Sequence, residues 1–199
     1  MVYFSHMESL RGATVVFIGR PGSGKGTQSK LLHAACRAAG LDAVRVTLGD
    51  VGRALAMKQT LIGEWVNGMM KNGEPFPSWL ALSLLIEALE GSLTDKEQVL
   101  ILDGAPRRMF EAQTLDELMK DIGRPLPRAL HLSISPDESR SRLTLRGRED
   151  DTAEGIEKRL AWFQTEVAPV IAYYEGRCAE VAGMGDQEEI NRAIVSLFA

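Results

Sequence analysis

The sequence predicts an α/β fold of three layers, in which a five-stranded parallel sheet is covered by helices on both faces and carries a helical insertion. Two observations predict it. Short apolar runs rich in β-branched residues alternate repeatedly with stretches whose apolar residues recur at helical spacing. Between the second and third of those runs stand about 50 residues that read only as helix, far more than a crossover needs.

In chain order, ATVVFIG (13–19) is a strand that stops at glycine, and TQSKLLHAACRAAG (27–40) is the helix it feeds. AVRVTLG (43–49) and DVGRALAMK (50–58) repeat the pair. The insertion is a helical lobe over about 48–78, with breaks expected near Gly63, Gly73 and Pro77. QVLILDG (98–104) leads into RRMFEAQTLDELMKDIG (107–123), and RALHLSIS (128–135) into DESRSRLTLRG (137–147). One long helix is predicted from Thr152 to Arg177 with Pro169 inside it, followed by CAEVAG (178–183) and a closing amphipathic helix, DQEEINRAIVSLF (186–198). The 199 residues read as one domain; the first twelve are set aside as a leader, of which residues 1–7 need not be native.

A net charge of −4 argues against general affinity for nucleic acid or an anionic membrane surface. An anionic ligand must therefore be held by a local cluster of cations. No apolar run reaches the roughly 18 residues of a membrane helix. Cys36 and Cys178 lie far apart without CxxC spacing, which points to reduced thiols in a cytoplasmic protein. His6, His33 and His131 show no ligand spacing.

GRPGSGKGTQ (19–28), directly after the first strand, fits Gly-x-x-x-x-Gly-Lys with Gly19, Gly24 and Lys25. In such a loop the backbone around Pro21, Gly22 and Ser23 closes its N–H groups on phosphate oxygens, the next helix presents its positive end, and Lys25 reaches the β and γ phosphates of a nucleotide. A chance glycine turn lacks that strand-before, helix-after setting. Gly26 stands where a hydroxyl residue is usual, and the hydroxyl comes one position later at Thr27. Asp103, at the end of another strand, is the natural holder of Mg²⁺, with Thr27, directly or through water. A strand-end aspartate can also be a helix cap; the phosphate loop favours the metal.

Four motifs in order, GRPGSGKGTQ, TLGDVGRA (47–54), LDGAPRR (102–108) and RGREDDTAEGIEKRL (146–160), resemble the adenylate kinase family of nucleoside monophosphate kinases, and the resemblance covers almost everything after residue 12. It implies a P-loop core, a lobe for the nucleoside monophosphate, and a lid. It also implies an enzyme that uses ATP and Mg²⁺ to phosphorylate the monophosphate reversibly; a monomer is expected, although nothing in the sequence marks an apolar surface patch. By that resemblance Lys25 and Arg142 hold ATP, Arg53 and Arg107 grip the acceptor phosphate, and Arg142, Arg146, Arg148 and Arg159 surround the phosphoryl in flight. Asp150 and Asp151 match the acidic pair after the lid, while Thr47, Leu48, Phe76, Gly104 and Glu111 fall at the acceptor site. The chemistry agrees: an ionised phosphate acceptor demands no general base, only alignment and charge compensation, for which the arginine fork is suited.

The sequence departs from the family pattern at two places. Only Gly147 separates Arg146 from Arg148, so the lid, about 146–151, is a bare turn and is expected to exclude water less well. The family's usual glutamine is Glu111, its usual threonine is Leu48, and its usual aromatic is Ala105. A carboxylate only accepts hydrogen bonds, which suits guanine and opposes the N1 lone pair of adenine. For AMP, Glu111 must turn outward, or Gln113 or a water must supply a donor. AMP is narrowly favoured, GMP or a pyrimidine monophosphate is the alternative, and a nucleotide-binding regulator without transfer stands further off. Phe76 and Trp79 are offered as aromatic contacts for the base, Arg108 as supporting charge, and Arg20 as reaching either a phosphate or solvent.

Overall fold

The computed structural model describes residues 7–148 and 151–198; His6 and Asp150, named above, lie outside that range. Strands β1 (Thr14–Gly19), β2 (Ala43–Thr47), β3 (Val99–Asp103), β4 (Arg128–Ser133) and β5 (Cys178–Ala182) form a sheet in the order β2-β3-β1-β4-β5 with every pair parallel. Every residue of β1 and β3 is buried, as a sheet covered on both faces requires. Period-two alternation divides their side chains: Val16, Ile18, Leu100 and Leu102 enter one core, while Val15, Phe17, Val99 and Ile101 enter the other. Each such side chain contributes about 1.5–3 kcal/mol by leaving water.

The helices are α1 (Lys25–Ala38), α2 (Leu48–Ala56), α3 (Leu61–Lys71), α4 (Ser78–Glu90), α5 (Met109–Asp121), α6 (Pro136–Arg146), α7 (Ala153–Trp162), α8 (Ala168–Tyr173) and α9 (Gln187–Ser196). The segment set aside as a leader belongs to the domain from Met7 onward. Met7–Leu10 is a 3₁₀ turn whose Met7 and Leu10 are buried, and the Ser9 hydroxyl donates to the Phe198 carbonyl. Four residues are too few to show a helical period, so sequence reading passes over them.

The break expected near Gly63 falls at residues 57–60, between α2 and α3; Gly63 itself lies in the first turn of α3 and donates its N–H to the Thr60 cap at 3.1 Å. A Cβ there would stand 2.2 Å from the Lys58 carbonyl oxygen and 2.8 Å from that of Leu55, so the glycine permits a close return of the chain after α2. The expectation of one long helix is corrected. Thr152 caps α7, a π-helical turn spans Phe163–Val167, and α8 ends at Tyr173. Pro169 has no N–H to return to the preceding turn, and the wide π turn just before it accommodates that loss.

Parallel order brings the carboxyl ends of β1, β2 and β3 to one edge, with Phe17 and Thr47 both in register with Asp103. Such an edge is where open α/β sheets bind ligands. The lobe formed by α2, α3 and the start of α4 stands over it. On the lobe's outer face Trp65 and Trp79 stack, ring centroids 6.0 Å apart and planes 5° from parallel. On its inner side the turn after α3 meets α7, where a Cβ on Gly73 would lie 3.8 Å from the Gly155 Cα.

Candidate active site

The loop between β1 and α1 is closed by its own lysine. Lys25 Nζ donates to the carbonyls of Gly19 and Arg20, each at 2.8 Å, and lies 3.4 Å from Ser23 Oγ. Gly24 sits at φ +94°, a backbone state that L side chains resist, just before the helix begins. Burial lowers the Lys25 pKa to about 8 against the opposing pull of Asp103, and Arg107 and Arg146 add to the fall. Arg142 of α6 spans the loop: it pairs with Glu138 at 2.6 Å, donates to the Gly22 carbonyl at 3.4 Å, and reaches the Met184 sulfur at 3.5 Å. Arg20 is half-buried; it donates to the Ile134 carbonyl at 2.9 Å and lies over the Phe163 ring at 4.9 Å.

Asp103 is 7% exposed at the end of β3. A Cβ on Gly26 would stand 3.3 Å from its Oδ2, so the glycine in place of the usual hydroxyl residue leaves room beside the carboxylate. Thr27 is exposed on the first turn of α1. Among the described residues no three His, Cys, Asp or Glu side chains gather around a common point. A lone carboxylate beside a phosphate cradle fits Mg²⁺, which keeps its waters and takes most other ligands from substrate phosphates.

The cations converge. Arg107 is partly enclosed, and burial lowers its pKa, opposed by Asp103 and Glu111 and reinforced by Arg159 and Arg108. Among the described residues no carboxylate pairs with its guanidinium, unlike those of Arg146 and Arg159. Those two share Asp151, whose side chain is fully buried: Arg146 approaches at 2.8 and 2.7 Å, Arg159 at 2.6 Å, and the Arg148 backbone N–H at 3.1 Å. Burial alone would raise the Asp151 pKa, but these donors outweigh it and hold the carboxyl far below the usual range. Lys25, Asp103, Arg107, Arg146 and Arg159 thus form one electrostatic cluster. Arg53 stands apart from it, half exposed and paired with Asp50 of its own helix, and Arg148 is exposed after the end of α6.

Beside the cluster is a recess lined by Leu48, Phe76, Arg107, Glu111 and Trp162. Gly104, at φ +85°, lets Arg107 fold back over it: a Cβ there would come within 3.0 Å of Arg107 Nη2. Thr47, at the last position of β2, adjoins this edge, and its hydroxyl is buried without a partner among the described residues. Glu111 faces inward, 3% exposed, accepting from the Ser78 hydroxyl at 3.0 Å and the Arg107 backbone N–H at 2.7 Å. Gln113 is exposed and does not line the recess. The Phe76 ring fills the space over Gly52, where a Cβ would stand 2.3 Å from the ring. Trp79, offered with Phe76 as a base contact, is instead in the outer stack with Trp65. Arg108 does more than add charge: it donates to the Phe76 carbonyl at 2.8 Å, approaches Glu166 at 3.5 Å, and lies over the Trp162 ring at 5.6 Å.

Sequence reading missed Ser78 and Trp162. Trp162 had one signal: it stands three residues after Arg159, on the same face of α7.

The family model for adenylate kinase matches residues 17–179. The chain belongs to the adenylate kinase family. Adenylate kinase 1 of Nostoc sp. (strain PCC 7120 / SAG 25.82 / UTEX 2576) is 35% identical over 175 residues, covering 88% of this chain and 91% of the relative. The adenylate kinase of Cyanothece sp. (strain PCC 7425 / ATCC 29141) is 34% identical over 188 residues, covering 92% and 93%. That of Thermobifida fusca (strain YX) is 33% identical over 190 residues, covering 92% and 97%. As a member of this family the chain is a phosphotransferase that acts on a nucleoside monophosphate. No helix of the described residues is long and apolar enough to cross a membrane.

Proposed function

We propose that the protein catalyses the reversible, Mg²⁺-dependent transfer of the ATP γ-phosphoryl to AMP, giving two ADP, in the cytoplasm. The observation that carries this reading is Arg107: a partly buried guanidinium with no carboxylate partner among the described residues, set between the phosphate loop and the recess. A cation so placed is stabilised by an anion that comes and goes, and an acceptor phosphate is such an anion.

Lys25 and the loop amides hold the β and γ phosphates of ATP, and Arg142 lies at the donor side of the loop. Arg107 grips the acceptor phosphate, with Arg53 brought to it by the lobe. Arg146, Arg148 and Arg159 offset the charge of the phosphoryl group between the two nucleotides, held in position by Asp151. Asp103, with Thr27 through water, would hold Mg²⁺, which supplies charge neutralisation across the donor phosphates. No side chain is needed as a base, because the acceptor oxygen is already ionised.

The test is ADP production from Mg²⁺-ATP with AMP, GMP, CMP or UMP, each corrected for a reaction without acceptor. AMP should give the highest rate. A lead of tenfold or more for another monophosphate would shift the assignment to that acceptor, and no rate above the blank with any of them would end it.

A further inference from the structure

The assignment of AMP leaves a chemical gap in the recess, and the following rests on that assignment. Along one edge adenine offers an amino N–H and, beside it, the lone pair of N1. Glu111 can accept from the amino group but has no proton for N1. Gln113 is exposed, so it does not fill the gap. The indole of Trp162 is a wall of the same recess, held under two guanidinium groups, Arg107 at 6.0 Å and Arg108 at 5.6 Å from the ring centroid. Its Nε1–H is buried and meets no acceptor among the described residues. Buried indole N–H groups ordinarily find a partner.

We propose that Trp162 is a specificity-determining residue for the acceptor base, its Nε1–H donating to N1 of adenine while Glu111 accepts from the exocyclic amino group. Two residues from different helices, α7 and α5, then divide the donor and acceptor roles that a single carboxamide would combine. The chemistry is matched in sign at both atoms: indole is only a donor and carboxylate only an acceptor. A 6-oxo purine bound in the same pose would present an acceptor to Glu111 and an N–H to Trp162, wrong at both positions.

The experiment compares AMP with its 1-deaza analogue, in which C–H replaces N1, on the wild-type enzyme and on Trp162→Phe. Phenylalanine keeps an aromatic ring beneath the arginines and removes the N–H together with the five-membered ring that carries it, so the comparison of AMP with its analogue on the same variant separates the lost hydrogen bond from the lost volume. Wild-type enzyme should show a KM for the analogue about ten- to a hundredfold above that for AMP, the usual effect of a lost buried hydrogen bond. Trp162→Phe should raise the KM for AMP by a similar factor and leave the KM for the analogue and for ATP unchanged. Adding Glu111→Gln to Trp162→Phe should recover part of the AMP affinity, since a carboxamide can donate. Equal handling of AMP and the analogue by wild type overturns the proposal without reference to whether the variant folds. An equal rise in both KM values for Trp162→Phe overturns it as well, assigning the ring to holding Arg107 alone. Wild-type turnover of AMP tests the parent assignment separately; its absence would end both.

Discussion

Lys25 is held where its charge is costly to folding, in the loop that the proposed reaction would use to hold ATP. Its pKa is about 8 in the folded protein against 10.5 for an ordinary lysine. A lowered lysine pKa means that the unfolded chain binds the proton more tightly, so the cost is fully present below pH 8 and fades as pH rises towards 10.5. Lys25→Met should therefore unfold at higher denaturant concentration at pH 7, by about 1–3 kcal/mol, with the advantage shrinking by pH 10. An offset that did not change with pH would mean that packing, not charge, separates the two proteins. In wild type, kcat/KM for ATP should fall above about pH 8 as free enzyme loses the ammonium. At this scale the placement of Lys25, Asp103 and Arg107 at one edge of the sheet was legible because a short local motif carries each of them. Ser78 and Trp162 were not, because they reach Glu111's recess from elsewhere in the chain; Ser78 lies 33 positions away.

Helices and strands were legible where period and punctuation agree. β1 and β3 are apolar throughout and end at the phosphate loop and at Asp103, and both facts can be read directly from the residues. Gly63 shows where such reading stops: a glycine that breaks a helix and one that admits a neighbouring carbonyl look the same in sequence. The distinction has a consequence. Gly63→Ala should destabilise α3 by roughly 1–3 kcal/mol or more, since the obstructing atoms are backbone and cannot rotate away. Hydrogen exchange should show that opening in α3, with β1 and β3 unchanged, and the KM for AMP should rise. Ordinary protection in α3 would show that the chain after α2 yields without cost. The π turn before Pro169 was illegible for another reason: proline announces a fault in a helix, not how the backbone absorbs it.

The molecule as a whole is anionic, yet its cations gather at one edge of the sheet. That gathering depends on chain order, which the motifs supplied, and on register, which only the fold reveals. Helix α6 ends at Gly147, and Arg146, Arg148 and Arg159 are all tied to Asp151. If this segment is the lid of the proposed reaction, it positions charge more than it shields area. The ratio of ATP hydrolysis without acceptor to transfer with AMP should exceed that of a long-lid relative, and equal ratios in a coupled assay would show that the arginines alone exclude water well enough. The contact between Gly73 and Gly155 gives the helical insertion a direct seat on α7, the helix that carries both Arg159 and Trp162.

All three tryptophans of the chain, Trp65 and Trp79 in their outer stack and Trp162 beneath two guanidinium groups, lie on the side that the proposed reaction gives to the acceptor. On that proposal the protein carries a built-in optical label on one substrate only. Its ultraviolet emission should change in intensity or wavelength as AMP is added and stay nearly constant with a non-hydrolysable ATP analogue. A fluorimeter could then follow arrival at one side of the reaction while remaining blind to the other.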